Sequence, residues 1–229
     1  MKFDHNETLE EARARNIRDA LFEDIGVCDW TAQLVPAGRR VRARVIVRED
    51  AVLCGRDWFD GCVTAVDPQA RVTWLQAEGA DMTAGSTVCE IESEARALLS
   101  AERPALNFLQ LLSGTAPITR RHARAIEGVS PNPRGCVVLD TRKTVPGLRQ
   151  AQKYAVRTGG GRNHRMALFD GILIKENHIA AAGGIGAALA QARALNAGVG
   201  VQIEVESLAQ LREAVAAGAT SVLRATFTL

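Results

Sequence analysis

Six polar side chains in the second half of the chain could together bind a polyanion. Cations that converge in a dry pocket repel one another unless an anion lies between them. Arginine forks favour carboxylates and phosphates, and lysine supplies a mobile point charge. We therefore expect a ligand that carries both groups. The six candidates are Arg142, Lys143, His164, Arg165, Lys175 and Glu204.

Each of these clusters also has a plainer interpretation. Residues 140–143 fit an exposed loop whose surface ion pairs contribute about 0–1 kcal/mol each. His178 fits a structural histidine better than a ligand, and Glu204 fits a strand-end residue paired with an arginine. The glycines at 159–161 could bind phosphate through backbone N–H groups or form a flexible loop. We favour the loop because no Walker A lysine pattern accompanies them.

The elements that position these side chains are strands alternating with helices. Helical composition lies between short apolar runs, which predicts parallel β/α units with a site at the C-terminal strand ends. The polar clusters fall at those ends. The four predicted strands begin near Val137, Ile172, Val201 and Val222, and the predicted helices cover 148–157, 185–195 and 208–217.

The first part of the chain predicts an antiparallel arrangement. Residues 7–22 carry apolar positions at helical spacing, and residues 41–48 alternate small or apolar with charged side chains. This pattern indicates an open antiparallel sheet with one helix against it. Further short strands are expected at 51–53, 72–77 and 88–91.

A long helical region follows at residues 95–126. Gly114 and Pro117 are expected to end one helix before another begins at Thr119. We place the domain boundary there, which predicts an N-terminal domain over residues 1–114 and a C-terminal domain over residues 115–229.

Composition and charge exclude several classes of protein. The 229 residues are 47% hydrophobic and 24% charged, which excludes disordered, collagen-like and coiled-coil chains. A net charge of +2 and dispersed arginines give no reason to expect nucleic acid or a membrane surface as partner. Five scattered cysteines without C-x-x-C spacing indicate a reducing cytoplasm. Neither a signal peptide nor an apolar run long enough to cross a bilayer is expected.

Five stretches resemble, in order, the motifs of the quinolinate phosphoribosyltransferase family. The similarity extends over nearly the whole chain from residue 23. It implies an α/β protein of the type II phosphoribosyltransferase fold, with an N-terminal α/β open sandwich followed by an incomplete α/β barrel. The stretches are ERPALNFLQ at 102–110 with SGTA at 113–116, DTRKTVPGLR at 140–149, GGGRNHR at 159–165, LIKENH at 173–178 and IEVE at 203–206.

The family reaction joins quinolinate to 5-phosphoribosyl-1-pyrophosphate and releases pyrophosphate and carbon dioxide. Its product is nicotinate mononucleotide, so the resemblance implies a decarboxylating pentosyltransferase of NAD biosynthesis. The quinolinate nitrogen is the nucleophile, so the protein chiefly positions and stabilises the reactants. Mg²⁺ is expected with the pyrophosphate substrate and not in a dedicated protein site.

The resemblance also implies a role for each candidate residue. Arg103 is expected to enter the site from the partner subunit of a homodimer. Lys143 and Lys175 would face the phosphates, and Glu204 would lie near the ribose hydroxyls and magnesium. These three are the expected catalytic residues. The two carboxylates of quinolinate would be held by Arg142, His164, Arg165 and Lys175.

The last residues depart from the family pattern. Ala225 stands where the family has an active-site aspartate, and the later glycine-rich phosphate loops do not occur before Leu229. We therefore expect a shortened member that retains the quinolinate-binding residues and has weak or no turnover. Two alternatives remain: a type II relative acting on another pyridine or pyrimidine carboxylate, and a non-catalytic subunit that binds anions or forms dimers.

Overall fold

The computed structural model describes residues 4–225, which form two compact units. The first unit extends to His164 and the second begins at Arg165. Both contain helices and strands, which agrees with the predicted α/β class.

The described part of the first unit, residues 4–164, contains four α-helices and five strands. Strands β1, β5 and β3 form an antiparallel sheet in that order, and β2 pairs with β4 in a separate two-stranded ladder. The elements are α1 Leu9–Ile25, a short 3₁₀ turn Ala32–Leu34, β1 Arg40–Ile46, β2 Ala51–Val52, α2 Arg56–Val66, β3 Arg71–Trp74, β4 Asp81–Met82, β5 Thr87–Glu94, α3 Ala95–Ala125 and α4 Arg149–Thr158.

Helix α3 is continuous, so the predicted break between Gly114 and Thr119 is wrong. The helix runs through Gly114 and Pro117 without interruption. Its buried face includes Leu112 and Ala116, both 0% exposed. Packing of this face outweighs the one backbone hydrogen bond that proline removes and the low helix propensity of glycine.

The core of the first unit lies where α2 and α3 pack together. Trp58 and Phe59 of α2 are each 1% exposed and belong to the same apolar cluster as Leu112. Helix α2 is not among the elements predicted from the sequence. The buried positions 58, 59, 62 and 63 are nonetheless spaced as one face of a helix.

The predicted strand beginning near Val137 is reduced to an isolated bridge. Leu139 pairs in parallel with Arg162, and the Arg162 backbone N–H donates to the Val138 carbonyl at 2.8 Å. The Asp140 N–H returns a bond to the Arg162 carbonyl at 3.2 Å. The partner segment is a short loop after α4, so the pairing ends after one step.

The second unit confirms the predicted parallel β/α units. Its sheet has the order β6, β7, β8, with all pairs parallel. Ile174, Ile203 and Val205 are buried in the sheet, and Ile185 and Leu189 of a helix pack in the same cluster. The elements are β6 Ile172–Ile174, α5 Glu176–Ala182, α6 Ile185–Ala194, β7 Val201–Val205, α7 Leu208–Ala216 and β8 Val222–Arg224.

Candidate functional site

A polar loop before α4 carries two of the predicted cations. Lys143 is exposed and Arg142 is half-buried. The Arg142 Nε is fully buried and has no hydrogen-bond partner within residues 4–225. A buried donor without an acceptor is costly, and more so when it is charged. The loop therefore presents a donor suited to an anionic acceptor.

Helix α4 holds this loop through two side chains one turn apart. Arg149 donates through Nε to the Thr144 hydroxyl at 3.2 Å. Lys153, four residues later on the same helix face, is 0% exposed and forms an ion pair with Asp140, whose side chain is 7% exposed. The start and the end of the loop are thus tied to one helix.

The same ion pair holds His164, the last residue of the first unit. Asp140 Oδ1 accepts the His164 backbone N–H at 2.9 Å, and Lys153 Nζ donates to the His164 carbonyl at 3.2 Å. Asn163 donates its Nδ2 to Asp140 Oδ2 and, at 2.9 Å, to the Lys153 carbonyl. Both oxygens of Asp140 therefore accept bonds, and the backbone of His164 is fixed on both sides.

Sequence reasoning did not assign a role to Lys153 or Asn163. The only available signal was rarity, because Lys153 is one of four lysines and two of the others, Lys143 and Lys175, lie in the polar clusters.

Two glycines of the triplet, Gly159 and Gly161, are close-packed positions, a role that the sequence did not indicate. A Cβ at Gly159 would lie 2.4 Å from the Ala116 carbonyl oxygen, and one at Gly161 would lie 2.9 Å from Thr119 Cγ2. Both glycines are buried. The absence of side chains lets this segment approach α3 closely, and so sets the position of the chain just before His164.

The second unit brings Lys175 and Glu204 together. Lys175 follows β6, Glu204 lies in β7, and their Nζ and Oε2 atoms are 3.6 Å apart. Ile203 and Val205 are buried on one face of β7, so Glu204 projects from the other. The strand-end acid is therefore paired with a lysine and not, as the plainer interpretation had it, with an arginine.

His178 has the structural role that the sequence favoured. Its Nδ1 accepts the backbone N–H of Lys175 at 2.9 Å, which caps the first turn of α5. This bond fixes the backbone from which the Lys175 side chain extends.

The surroundings differ for three further residues, Arg165, Arg103 and Ala225. Arg165 is half-buried and donates to the Gly171 carbonyl at 3.4 Å within the second unit. Arg103 is exposed on α3 and is not one of the residues that donate hydrogen bonds to the Asp140 carboxylate, which are Lys153, Asn163 and His164. Ala225 follows β8 and donates its N–H to the Val205 carbonyl at 2.9 Å, so a methyl group stands at the position expected for the family's aspartate.

The buried cysteine thiols are unsuited to nucleophilic chemistry. Burial raises the pKa of Cys54, and it raises the pKa of Cys62 and of Cys89 to about 12. Thiols with such pKa values stay protonated at neutral pH and are poor nucleophiles.

Residues 4–225 contain neither a metal-ligand cluster nor a membrane-spanning helix. No group of three or more His, Cys, Asp or Glu side chains in that range could hold a metal ion. Within the same residues, no helix has both the length and the apolar character needed to cross a bilayer.

Comparisons with known proteins agree with the motifs. Models of the quinolinate phosphoribosyl transferase N-terminal and C-terminal domains match residues 29–113 and 115–228. A probable carboxylating nicotinate-nucleotide pyrophosphorylase from Bacillus subtilis is 39% identical over 203 residues, covering 88% of this chain and 68% of that protein. A decarboxylating mitochondrial quinolinate phosphoribosyltransferase from Nicotiana tabacum is 36% identical over 200 residues, covering 85% of this chain and 55% of that protein.

A solved structure extends the similarity to three dimensions. The nicotinate-nucleotide pyrophosphorylase from Francisella tularensis superimposes with a TM-score of 0.90 and 41% identity, covering 99% of this chain and 79% of that one. The chain is thus an α/β protein with an N-terminal α/β sandwich followed by an incomplete α/β barrel, as predicted. It belongs to the quinolinate phosphoribosyltransferase family.

Proposed function

We propose that this chain binds quinolinate and 5-phosphoribosyl-1-pyrophosphate and carries the residues for decarboxylating phosphoribosyl transfer in NAD biosynthesis. The observation that carries the proposal is the buried Arg142 Nε without a protein acceptor, at the motif position where the family resemblance places a substrate carboxylate. The names of the relatives from Bacillus subtilis and Nicotiana tabacum support the reaction type. This function is that of full-length members of the family. The chain spans 68% of the length of the Bacillus subtilis protein and 55% of the length of the Nicotiana tabacum protein.

In this proposal the predicted basic side chains bind the dicarboxylate. Charge-assisted hydrogen bonds of this kind contribute about 1.5–3 kcal/mol each. Lys143 and Lys175 also face the phosphates of the second substrate. The carboxylate-binding residues are Arg142, His164, Arg165 and Lys175.

The reaction needs no protein nucleophile. The quinolinate nitrogen attacks the anomeric carbon of the ribose, the bond from that carbon to pyrophosphate breaks, and pyrophosphate leaves with the electron pair. The 2-carboxylate then departs as carbon dioxide, and a proton takes its place on the ring. Glu204 would hold the ribose hydroxyls and favour positive charge on the anomeric carbon.

In this proposal Mg²⁺ would bind together with the phosphates of the second substrate. Mg²⁺ commonly binds through one or two carboxylates together with substrate phosphates. Glu204 is a partly exposed carboxylate of that kind, with a side chain that is 21% exposed. The ion would neutralise charge on the leaving pyrophosphate.

The proposal includes a homodimer in which Arg103 enters the partner's site. Its exposed position on α3 supports this role, because its guanidinium lies at the surface of its own chain. We also assign the protein to the cytoplasm, and its five free cysteines support a reducing compartment.

Calorimetry with quinolinate tests the proposal. Wild-type protein should bind quinolinate, Arg142→Ala should lose at least about tenfold in affinity for each charged contact removed, and the exposed control Arg134→Ala should bind as wild type. Equal affinity in all three proteins would overturn the assignment of Arg142.

Turnover is measured separately as quinolinate-dependent release of pyrophosphate. Release supports the full reaction. Because Ala225 replaces an acid, binding of quinolinate without release would favour the alternative of a non-catalytic anion-binding subunit. Preferential binding of another pyridine or pyrimidine carboxylate would instead favour the type II relative.

A further inference from the structure

Lys153 is a fully buried charge in the first unit. Its helix neighbours Ala151 and Ala155 are apolar and 0% exposed. Replacing a buried ion pair by apolar side chains of similar volume is often neutral or stabilising, because desolvation of two charges offsets their attraction. The pair with Asp140 is therefore poorly explained by stability alone.

The position of the pair offers another explanation. Asp140 lies two residues before Arg142, and its Oδ1 also accepts the His164 N–H at 2.9 Å. Lys153 Nζ donates to the carbonyl of the same residue, His164, at 3.2 Å. One buried pair thus links the backbone next to Arg142 with the backbone of His164.

Two further residues make this link rigid. Asn163 donates to Asp140 and to the Lys153 carbonyl, so neither carboxylate oxygen is free to rotate away. Arg149, one turn before Lys153 on α4, holds Thr144 at 3.2 Å on the far side of Arg142. A movement of the backbone around Arg142 relative to that of His164 would break several of these hydrogen bonds at once.

We propose that Lys153 is a positioning residue that, through Asp140 and the His164 backbone, sets the spacing between Arg142 and His164 to fit a dicarboxylate. The inference rests on the proposed function, since it assumes that both side chains bind substrate carboxylates. Two carboxylates on one rigid ring require two binding groups at a defined separation, whereas a monocarboxylate can be held by either group alone. Lys153 therefore contributes to the preference for dicarboxylates over monocarboxylates.

The test compares the affinities of quinolinate and nicotinate, a pyridine monocarboxylate, by calorimetry. Lys153→Met keeps the length of the stem and removes the charge. Lys153→Met combined with Asp140→Asn also removes the carboxylate charge that the single variant leaves unpaired. The double variant should therefore fold more stably than the single one. Both should lose about 10- to 100-fold in quinolinate affinity, while nicotinate affinity changes less than about twofold. Lys153→Arg should restore part of the ratio.

Ser93→Ala is the matched control for loss of a buried hydrogen bond elsewhere in the first unit. Ser93 is 0% exposed and donates to Asp67 at 2.8 Å. This variant should lose stability and keep the wild-type ratio of the two affinities.

The outcomes separate the two proposals. If the wild type binds no quinolinate, the proposed function fails and takes this inference with it. If the wild type binds and folded Lys153 variants keep its ratio of affinities, only the positioning role is overturned. Failure of both variants to fold would make the pair a folding element and would equally overturn it.

Discussion

Within residues 4–225, two lysine–carboxylate pairs have the same chemical groups in different surroundings. The side chains of Lys153 and Asp140 in the first unit are 0% and 7% exposed, and both oxygens of Asp140 accept hydrogen bonds. Those of Lys175 and Glu204 in the second unit are 47% and 21% exposed and lie 3.6 Å apart. A buried pair fixes the backbone around it, whereas a solvated pair exchanges partners at little cost. The first suits positioning and the second suits contact with a ligand.

The largest test of this difference is removal of the buried carboxylate. Asp140→Ala leaves Lys153 charged and buried without a partner, so the free energy of unfolding should fall by about 3–5 kcal/mol. Urea denaturation followed by circular dichroism measures the change. Glu204→Ala is the comparison variant, and an equal loss in the two proteins would remove the distinction between the pairs.

A second test concerns the glycines that place the chain before His164. Gly159→Ala would put a Cβ 2.4 Å from the Ala116 carbonyl oxygen. This overpacking should cost about 1–3 kcal/mol, visible as a lower melting temperature. Gly114→Ala is the matched control, because no atom of residues 4–225 beyond its chain neighbours and the adjacent backbone of α3 lies within 4 Å of its Cβ position. That change should stabilise the protein by about 0.5–1 kcal/mol.

These glycines show what could be predicted from sequence and what could not. The parallel strands β6, β7 and β8 were predictable because apolar runs and helical segments alternate locally. The roles of Gly159 and Gly161 were not, because they depend on contact with α3, which lies far away in sequence. Helix α2 was missed although its buried positions have helical spacing. Gly61 interrupts that run, and its fit against Ile17 of α1 is a long-range contact.

Some features of the candidate site could likewise be predicted from the sequence and others could not. The cations next to apolar runs were predictable from residue type and from family resemblance. The bonds from Lys153 to Asp140 and to the His164 carbonyl were not, because they join residues on α4 to the two chain segments that flank it. Lys153 has no local pattern that marks it as buried, since its charge predicts exposure.

A third test asks how much the hydrogen bonds to a buried carboxylate outside the candidate site contribute to the free energy of unfolding. Asp67 is 6% exposed, and hydrogen bonds from the Glu94 backbone N–H, the Ser93 hydroxyl and the Gln69 backbone N–H hold its pKa below the ordinary value, with a further contribution from Arg40. Asp67→Asn should lower the free energy of unfolding at pH 7 by about 1.5 kcal/mol.

The pH dependence of that loss has a definite sign. A carboxylate whose pKa is lowered in the folded state stabilises the protein at pH values above its unfolded pKa, near 4, and this contribution disappears as the pH falls through the folded pKa. The difference between wild type and Asp67→Asn should therefore be full at pH 7 and shrink below about pH 4. Urea titrations at several pH values measure it, and a difference that grows on acidification would contradict the assignment.

The smallest expected effect is at the solvated pair. Glu204→Gln should change the free energy of unfolding by about 0–1 kcal/mol, because solvent already screens Glu204 and Lys175, and the change should decrease further at high salt. The same variant should weaken the binding of 5-phosphoribosyl-1-pyrophosphate with Mg²⁺ if Glu204 has the proposed role. Urea denaturation and calorimetry on one preparation compare the two effects. A large loss of stability with unchanged binding would place Glu204 with Asp140 as a structural carboxylate, because its contacts would then serve the fold and not the ligand.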